Sequence, residues 1–164
     1  RRRRAMTRVR HARAADLASL RAIQSTTLAE SWPDLLELGV HGEPTLLVAE
    51  PDRPLGEGGR PPVGAGIRDP VGYALAVTDE DGATGYLVEL AVAPDFQGEG
   101  HGSELLATLV ELYRTKGIDR LRVTVREVDE GARAFYRSHG FEQRSRLPDH
   151  YEDGDGFLLV RELS

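Results

Sequence analysis

A strand-like run passes into a helical stretch through a turn built on glycine: Ala91-Val92-Ala93-Pro94-Asp95-Phe96-Gln97-Gly98-Glu99-Gly100-His101-Gly102. Three glycines in five residues let backbone amides turn outward at a helix N-terminus, an arrangement that suits a pyrophosphate. Taken alone, the same residues read about as well as a tight turn without chemistry. Two nucleotide-binding patterns are excluded. A P-loop needs Gly-x-x-x-x-Gly-Lys-Ser/Thr, and no lysine lies in this turn. A dinucleotide-binding unit needs its Gly-x-Gly-x-x-Gly in the first βαβ segment, with an acid ending the next strand. Here the turn comes late, and Leu121 to Arg126 does not end in that acid.

The rest of the chain divides at its breakers. Thr7 to Ala12 alternates around Val9 as a short strand. A helix follows, with Asp16 in its first turn and Leu17, Leu20, Ile23 and Leu28 as its buried stripe. Glu30-Ser31-Trp32-Pro33-Asp34 interrupts it, and Leu35 to Val40 forms a short second helix. Thr45 to Glu50, Val71 to Thr78 and Ala83 to Ala93 read as strands, the last two joined through Asp81-Gly82. Gly102 to Lys116 is a helix, because Leu105, Leu109 and Leu112 recur at i, i+4, i+7, as do Leu106, Val110 and Tyr113. Gly117 caps it. Leu121 to Arg126 is a strand, and Asp129 caps a short helix closed by Gly140. Two final strands, Phe141 to Leu147 and Gly156 to Arg161, bracket the turn Glu152-Asp153-Gly154-Asp155. The order describes a mixed sheet covered by helices, an α+β (α/β sandwich) fold.

Composition removes several classes of function. The 164 residues include no cysteine, which excludes disulfides, thiolate metal sites and cysteine nucleophiles; no metal is expected. No apolar run reaches the ~18 residues of a membrane span, so no membrane partner is expected and the chain reads as cytoplasmic. The net charge is −6. Setting aside Arg1 to Arg4 leaves seventeen cationic residues against 27 acidic ones, and no basic stripe, so no nucleic acid is expected as a partner. Met6 reads as the natural start, with residues 1–6 a disordered extension. Pro51 to Pro70 holds five prolines and five glycines in twenty residues and is expected to be a flexible loop.

Gln97-x-x-Gly100-x-Gly102, preceded by Leu90-Ala91-Val92-Ala93-Pro94, resembles the acetyl-CoA signature of the GNAT superfamily of N-acetyltransferases. Downstream, Asp129-Glu130-Gly131-Ala132-Arg133-Ala134-Phe135-Tyr136-Arg137-Ser138-His139-Gly140-Phe141 resembles that superfamily's Asn-x-x-Ala-x-x-x-Tyr-x-x-x-Gly-Phe helix. The similarity extends from about Thr7 to Leu163. It implies one acetyltransferase domain over 7–164, with the loop at 51–70, and a mostly antiparallel central sheet of about seven strands flanked by about four helices.

The resemblance also implies roles. Leu90, Ala91 and Val92 would pair with the pantetheine arm as an added strand does. The turn Gln97, Gly98, Glu99, Gly100, His101 and Gly102 would hold the pyrophosphate of acetyl-CoA. Most relatives carry arginine in this turn; here Gln97, Gly98 and Glu99 bring no cation, leaving amides and helix dipole. Asp129 stands where the family has asparagine, and either contacts coenzyme A or only caps its helix. Tyr136 is the candidate general acid for the departing thiolate, against a reading as a core tyrosine packed behind Phe135. Glu89 is the candidate general base, against a reading as a solvent-facing strand residue. Thr124 replaces a glutamate or histidine of the subfamily discussed next.

Two stretches bear on the acceptor. Leu28-Ala29-Glu30-Ser31-Trp32-Pro33 resembles the Leu-Pro-Glu-Asn-Tyr loop of protein N-terminal acetyltransferases. Pro148-Asp149-His150-Tyr151-Glu152-Asp153-Gly154-Asp155-Gly156-Phe157 resembles their Tyr-Tyr-x-Asp-Gly-Glu-Asp-Ala hairpin. Glu30, Trp32, His150 and Tyr151 are therefore the expected substrate-binding residues, and the ribosomal-protein alanine acetyltransferases are the nearest subgroup. The expected acceptor is a peptide N-terminus. A small amine (polyamine, amino acid or antibiotic) is the runner-up, and a non-catalytic acetyl-CoA-binding regulatory module is the reading from another class. The chain is expected to act as a monomer or homodimer.

Overall fold

Leu20, Leu36, Leu75, Leu105, Leu106, Leu109 and Leu121 are all fully buried, and each such side chain contributes about 1.5–3 kcal/mol on leaving water. They belong to a seven-stranded sheet and its helices in a computed structural model that describes residues 7–42, 44–51 and 69–164. The expectations for residues 1–6, and for nearly all of 51–70, lie outside the described residues. The strand order is β1-β2-β3-β4-β5-β7-β6. The strands are β1 (Thr7–His11), β2 (Thr45–Pro51), β3 (Gly72–Thr78), β4 (Thr84–Val92), β5 (Arg120–Arg126), β6 (Glu142–Tyr151) and β7 (Gly154–Glu162). The helices are α1 (Leu17–Thr27), α2 (Pro33–Gly39), α3 (His101–Thr115) and α4 (Glu130–Ser138). Among the described residues, the mostly antiparallel sheet with four helices that the resemblance implies is the one observed. Among the described residues no helix is long and apolar enough to cross a membrane.

Two compact units share this chain, and β3, β4 and α3 each run from one into the other. The first covers Arg1–Leu75 and Glu89–Leu109. In it β1 pairs antiparallel with β2, Val9 opposite Ala49. A 3-10 turn, Ala14–Asp16, leads into α1, so Asp16 precedes that helix and is not inside its first turn. Arg10 explains why the turn sits there. Its guanidinium donates to both carboxylate oxygens of Asp16 at 2.7 and 2.8 Å and to Glu50 at 2.6 Å. Burial pushes the Asp16 carboxyl up, but Arg10 and the Arg13 amide outweigh it and hold the group below its ordinary value. Helix α1 buries Leu20 and Ile23 as its spacing predicts; Leu17 and Leu28 are only half-buried, and Gln24 takes a place in the core. Pro33 starts α2, where its missing N–H costs nothing.

The second unit covers Ala76–Val88 and Val110–Ser164. A tight turn joins β3 to β4, with the Asp79 amide donating to Thr84 and the Gly82 amide to Asp79, both at 2.9 Å. Strand β5 runs parallel to β4 for a short stretch only, Thr84–Tyr86 against Arg120–Arg122. Beyond it β5 continues in antiparallel register with β7, Val123 opposite Leu159. Strand β6 pairs antiparallel with β7, with a register shift between Leu147 and Tyr151. The closing hairpin is longer than the sequence suggests, since β6 reaches Tyr151 and β7 begins at Gly154. Gly85 is needed for packing: a Cβ there would overlap the ring of Tyr113.

Candidate active site

In the first unit β4 ends at Val92, and the Ala93 amide donates to the Val71 carbonyl at 2.7 Å. A 3-10 turn, Pro94–Phe96, follows. Gly98 and Gly100 then take φ of 78° and 93°, left-handed conformations that a side chain would strain. They bring the chain to the first residue of α3, a helix of 15 residues whose N-terminus carries the positive end of the helix dipole. That end fits a pyrophosphate. The Gln97 side-chain amide donates to the Val92 carbonyl at 3.0 Å, so that carbonyl already has a partner on the strand expected to meet pantetheine.

His101 behaves differently from its neighbours in the turn. Its ring is 1% exposed, with Nδ1 2.8 Å from the Thr7 hydroxyl and Nε2 3.2 Å from the Glu99 carboxylate. The imidazole therefore ties the turn to β1, and what His101 can offer an anion is its main-chain amide.

Glu89 is 5% exposed, which overturns its reading as a solvent-facing strand residue. The physical reason lies in the pleat: Leu87, Glu89 and Ala91 share the buried face of β4, and side chains on a strand alternate with period two. A buried carboxylate requires donors, and Glu89 has three. Oε1 accepts from Gln24 Nε2 at 2.9 Å and from the Tyr73 hydroxyl at 2.9 Å, while Oε2 accepts from the Trp32 amide at 2.7 Å. Burial and the Glu89 charge push the Tyr73 phenol well above its ordinary pKa, so it stays a donor. Gln24 and Tyr73 were not expected at the site. Gln24 had one signal, a polar residue four places after Leu20 on an apolar stripe. Of the expected acceptor residues in this unit, Glu30 is exposed and the Trp32 side chain is among the most exposed large apolar groups, at 60%.

In the second unit Asp129 caps α4, its Oδ1 accepting from the Ala132 amide at 2.9 Å. Tyr136 is 7% exposed, with Phe135 and Phe141 edge-on to its ring at 5.2 and 5.4 Å between centroids. It packs as a core tyrosine would. Burial, then the charges of Asp129 and Tyr151, push its phenol well above the ordinary value. On the hairpin His150 is exposed and Tyr151 half-buried; their rings stack edge-to-face at 4.9 Å. The Tyr151 hydroxyl is 3.4 Å from Thr124 Oγ1. Asp149 holds a left-handed backbone (φ 52°), and its amide donates to Asp155 Oδ1 at 2.7 Å. Among the described residues no cluster of His, Asp and Glu is arranged to hold a metal ion.

The model of the acetyltransferase (GNAT) family matches residues 20–141. The chain belongs to that family. An uncharacterized N-acetyltransferase of Methanocaldococcus jannaschii is 35% identical over 91 residues, 55% of this chain and 57% of that protein. A ribosomal protein bS18-alanine N-acetyltransferase of Haemophilus ducreyi is 35% identical over 86 residues, 52% of this chain and 58% of that one. The chain thus spans a little over half the length of these curated relatives. The crystal structure of the ribosomal-protein-S18-alanine N-acetyltransferase from Escherichia coli has the same fold, with a TM-score of 0.76. That match covers 97% of this chain and 95% of the other at 22% identity.

Proposed function

We propose that this protein transfers the acetyl group of acetyl-CoA to the N-terminal α-amine of a protein or peptide. The observation that carries the reading is the turn from Gln97 to Gly102, whose two left-handed glycines deliver main-chain amides to the start of α3. Membership of the acetyltransferase family supports the reaction, and the similarity to ribosomal-protein alanine acetyltransferases supports the acceptor. In the first unit the exposed Trp32 ring, and in the second the half-buried Tyr151 on its hairpin, are each aromatic groups of the kind that grips a peptide backbone.

In this reading the amine nitrogen attacks the thioester carbonyl, the carbon–sulfur bond breaks, and the thiolate takes a proton from Tyr136. An α-amine with pKa of about 7.7–8.0 is partly neutral at physiological pH and needs little base. Three of the four lone-pair directions on Glu89 are filled, so as a base it works through the remaining one on Oε2 or through water. Leu90, Ala91 and Val92 receive the pantetheine arm, and Asp129 serves α4 as its cap.

The deciding experiment is an acetylation screen of Ala- and Ser-starting peptides against polyamines, amino acids and aminoglycosides. Turnover of peptides in preference to small amines is expected. Robust turnover of polyamines alone would move the chain to the small-amine class. Acetyl-CoA binding without turnover of any amine would make it a regulatory module.

A further inference from the structure

We infer that Glu89, Gln24 and Tyr73 form a buried clamp that positions the acceptor loop at Trp32 relative to the strand that receives acetyl-CoA. The inference rests on the proposed function for what the loop does, and on geometry for how it is held. Trp32 is fastened on both sides of its Cα. Its amide donates to Glu89 Oε2 at 2.7 Å, and its carbonyl accepts from the Leu35 and Leu36 amides at 3.1 and 3.3 Å, opening α2. The main chain is therefore fixed while the indole remains 60% exposed. Glu89 immediately precedes Leu90, Ala91 and Val92, so one carboxylate links the proposed donor strand to the proposed acceptor loop.

Gln24 and Tyr73 complete the device from α1 and β3. Both donate to Oε1, which leaves Oε2 facing the loop amide. Satisfying a buried carboxylate would need only donors of any kind. Here the third donor is the main chain of the one segment that lacks regular structure between α1 and α2, and that is what makes the cluster a positioning device. Gln24 and Tyr73 act through Glu89 and are positioning residues.

The test uses Tyr73→Phe, which removes one hydroxyl, and Gln24→Leu, so that if one variant misfolds the other carries the measurement. Hydrogen exchange at the Trp32 amide, followed by NMR, should speed up about tenfold in each, the scale of losing one hydrogen bond to a charged group. KM for the peptide acceptor should rise by a similar factor, with KM for acetyl-CoA unchanged. Unchanged exchange at Trp32 in both variants would overturn the clamp, as would acceptor and acetyl-CoA KM rising in step. Failure of the peptide reading registers separately, as absence of peptide turnover by the unsubstituted protein. The exchange measurement still decides the clamp in that case.

Discussion

The guanidinium of Arg126 lies over the ring of Tyr151, 4.6 Å from its centroid, and also pairs with Asp153 at the hairpin tip. One cation on β5 thus holds both the aromatic face and the turn of the proposed peptide hairpin. An exposed cation–π contact contributes roughly 0.5–1 kcal/mol, so Arg126→Gln should raise the peptide KM about two- to fivefold. Steady-state kinetics should show no change in KM for acetyl-CoA.

Tyr136 sits in an environment that keeps its proton. Because burial raises its pKa, the phenol remains protonated across the accessible alkaline range. The rate should climb with pH as the α-amine deprotonates near ~8, with no falling limb from Tyr136 below about pH 10. Tyr136→Phe should lower kcat by roughly 10²–10⁴ in chemistry-limited single turnover while leaving acetyl-CoA affinity nearly intact. Full kcat in that variant would remove Tyr136 from the chemistry.

At Gly100 the backbone has φ of 93°, which a β-branched residue does not tolerate. Gly100→Val should displace the amides of the turn and weaken acetyl-CoA binding at least tenfold by calorimetry, and its backbone strain should also lower the thermal midpoint by a few degrees. Wild-type affinity in that variant would place the pyrophosphate elsewhere.

The Arg10–Asp16–Glu50 group predicts an acid limit to stability. Asp16 has a folded pKa below its unfolded value of ~3.9, so its contribution is present above pH ~4 and lost as pH falls through the lower, folded value. Arg10→Met leaves two buried carboxylates without their cation and should cost about 3–5 kcal/mol at neutral pH in urea titration. Asp16→Asn should flatten the pH dependence of that titration below pH 4.

Local patterns carried most of this structure into the sequence. Leu105, Leu106, Leu109, Val110 and Tyr113 are buried as their helical spacing requires, and Asp129 caps α4 as its position suggests. The glycine turn and its helix were legible for the same reason, since all their information lies in one continuous run from Gln97 to Thr115. Glu89 was half legible. Its parity with Leu87 and Ala91 encodes burial, but its partners lie 65, 57 and 16 residues away, and only the assembled sheet brings them together. His101 is similar: its glycine-rich surroundings advertise an anion site, whereas its ring meets Glu99 nearby and Thr7, 94 residues distant. Short-range chemistry reads from a chain; the company a buried polar group keeps does not.

Trp32 is the chain's single tryptophan. Its backbone is fixed by hydrogen bonds at both ends while its indole stays mostly in water. Near-ultraviolet excitation at the red edge of protein absorbance therefore addresses one fluorophore, located on the segment proposed to meet the acceptor. Unliganded protein should emit at the long wavelengths of a hydrated indole. An arriving peptide should shift that emission to the blue, and acetyl-CoA alone should leave it nearly unmoved. The protein thus carries its own optical probe of acceptor binding, with no label to attach.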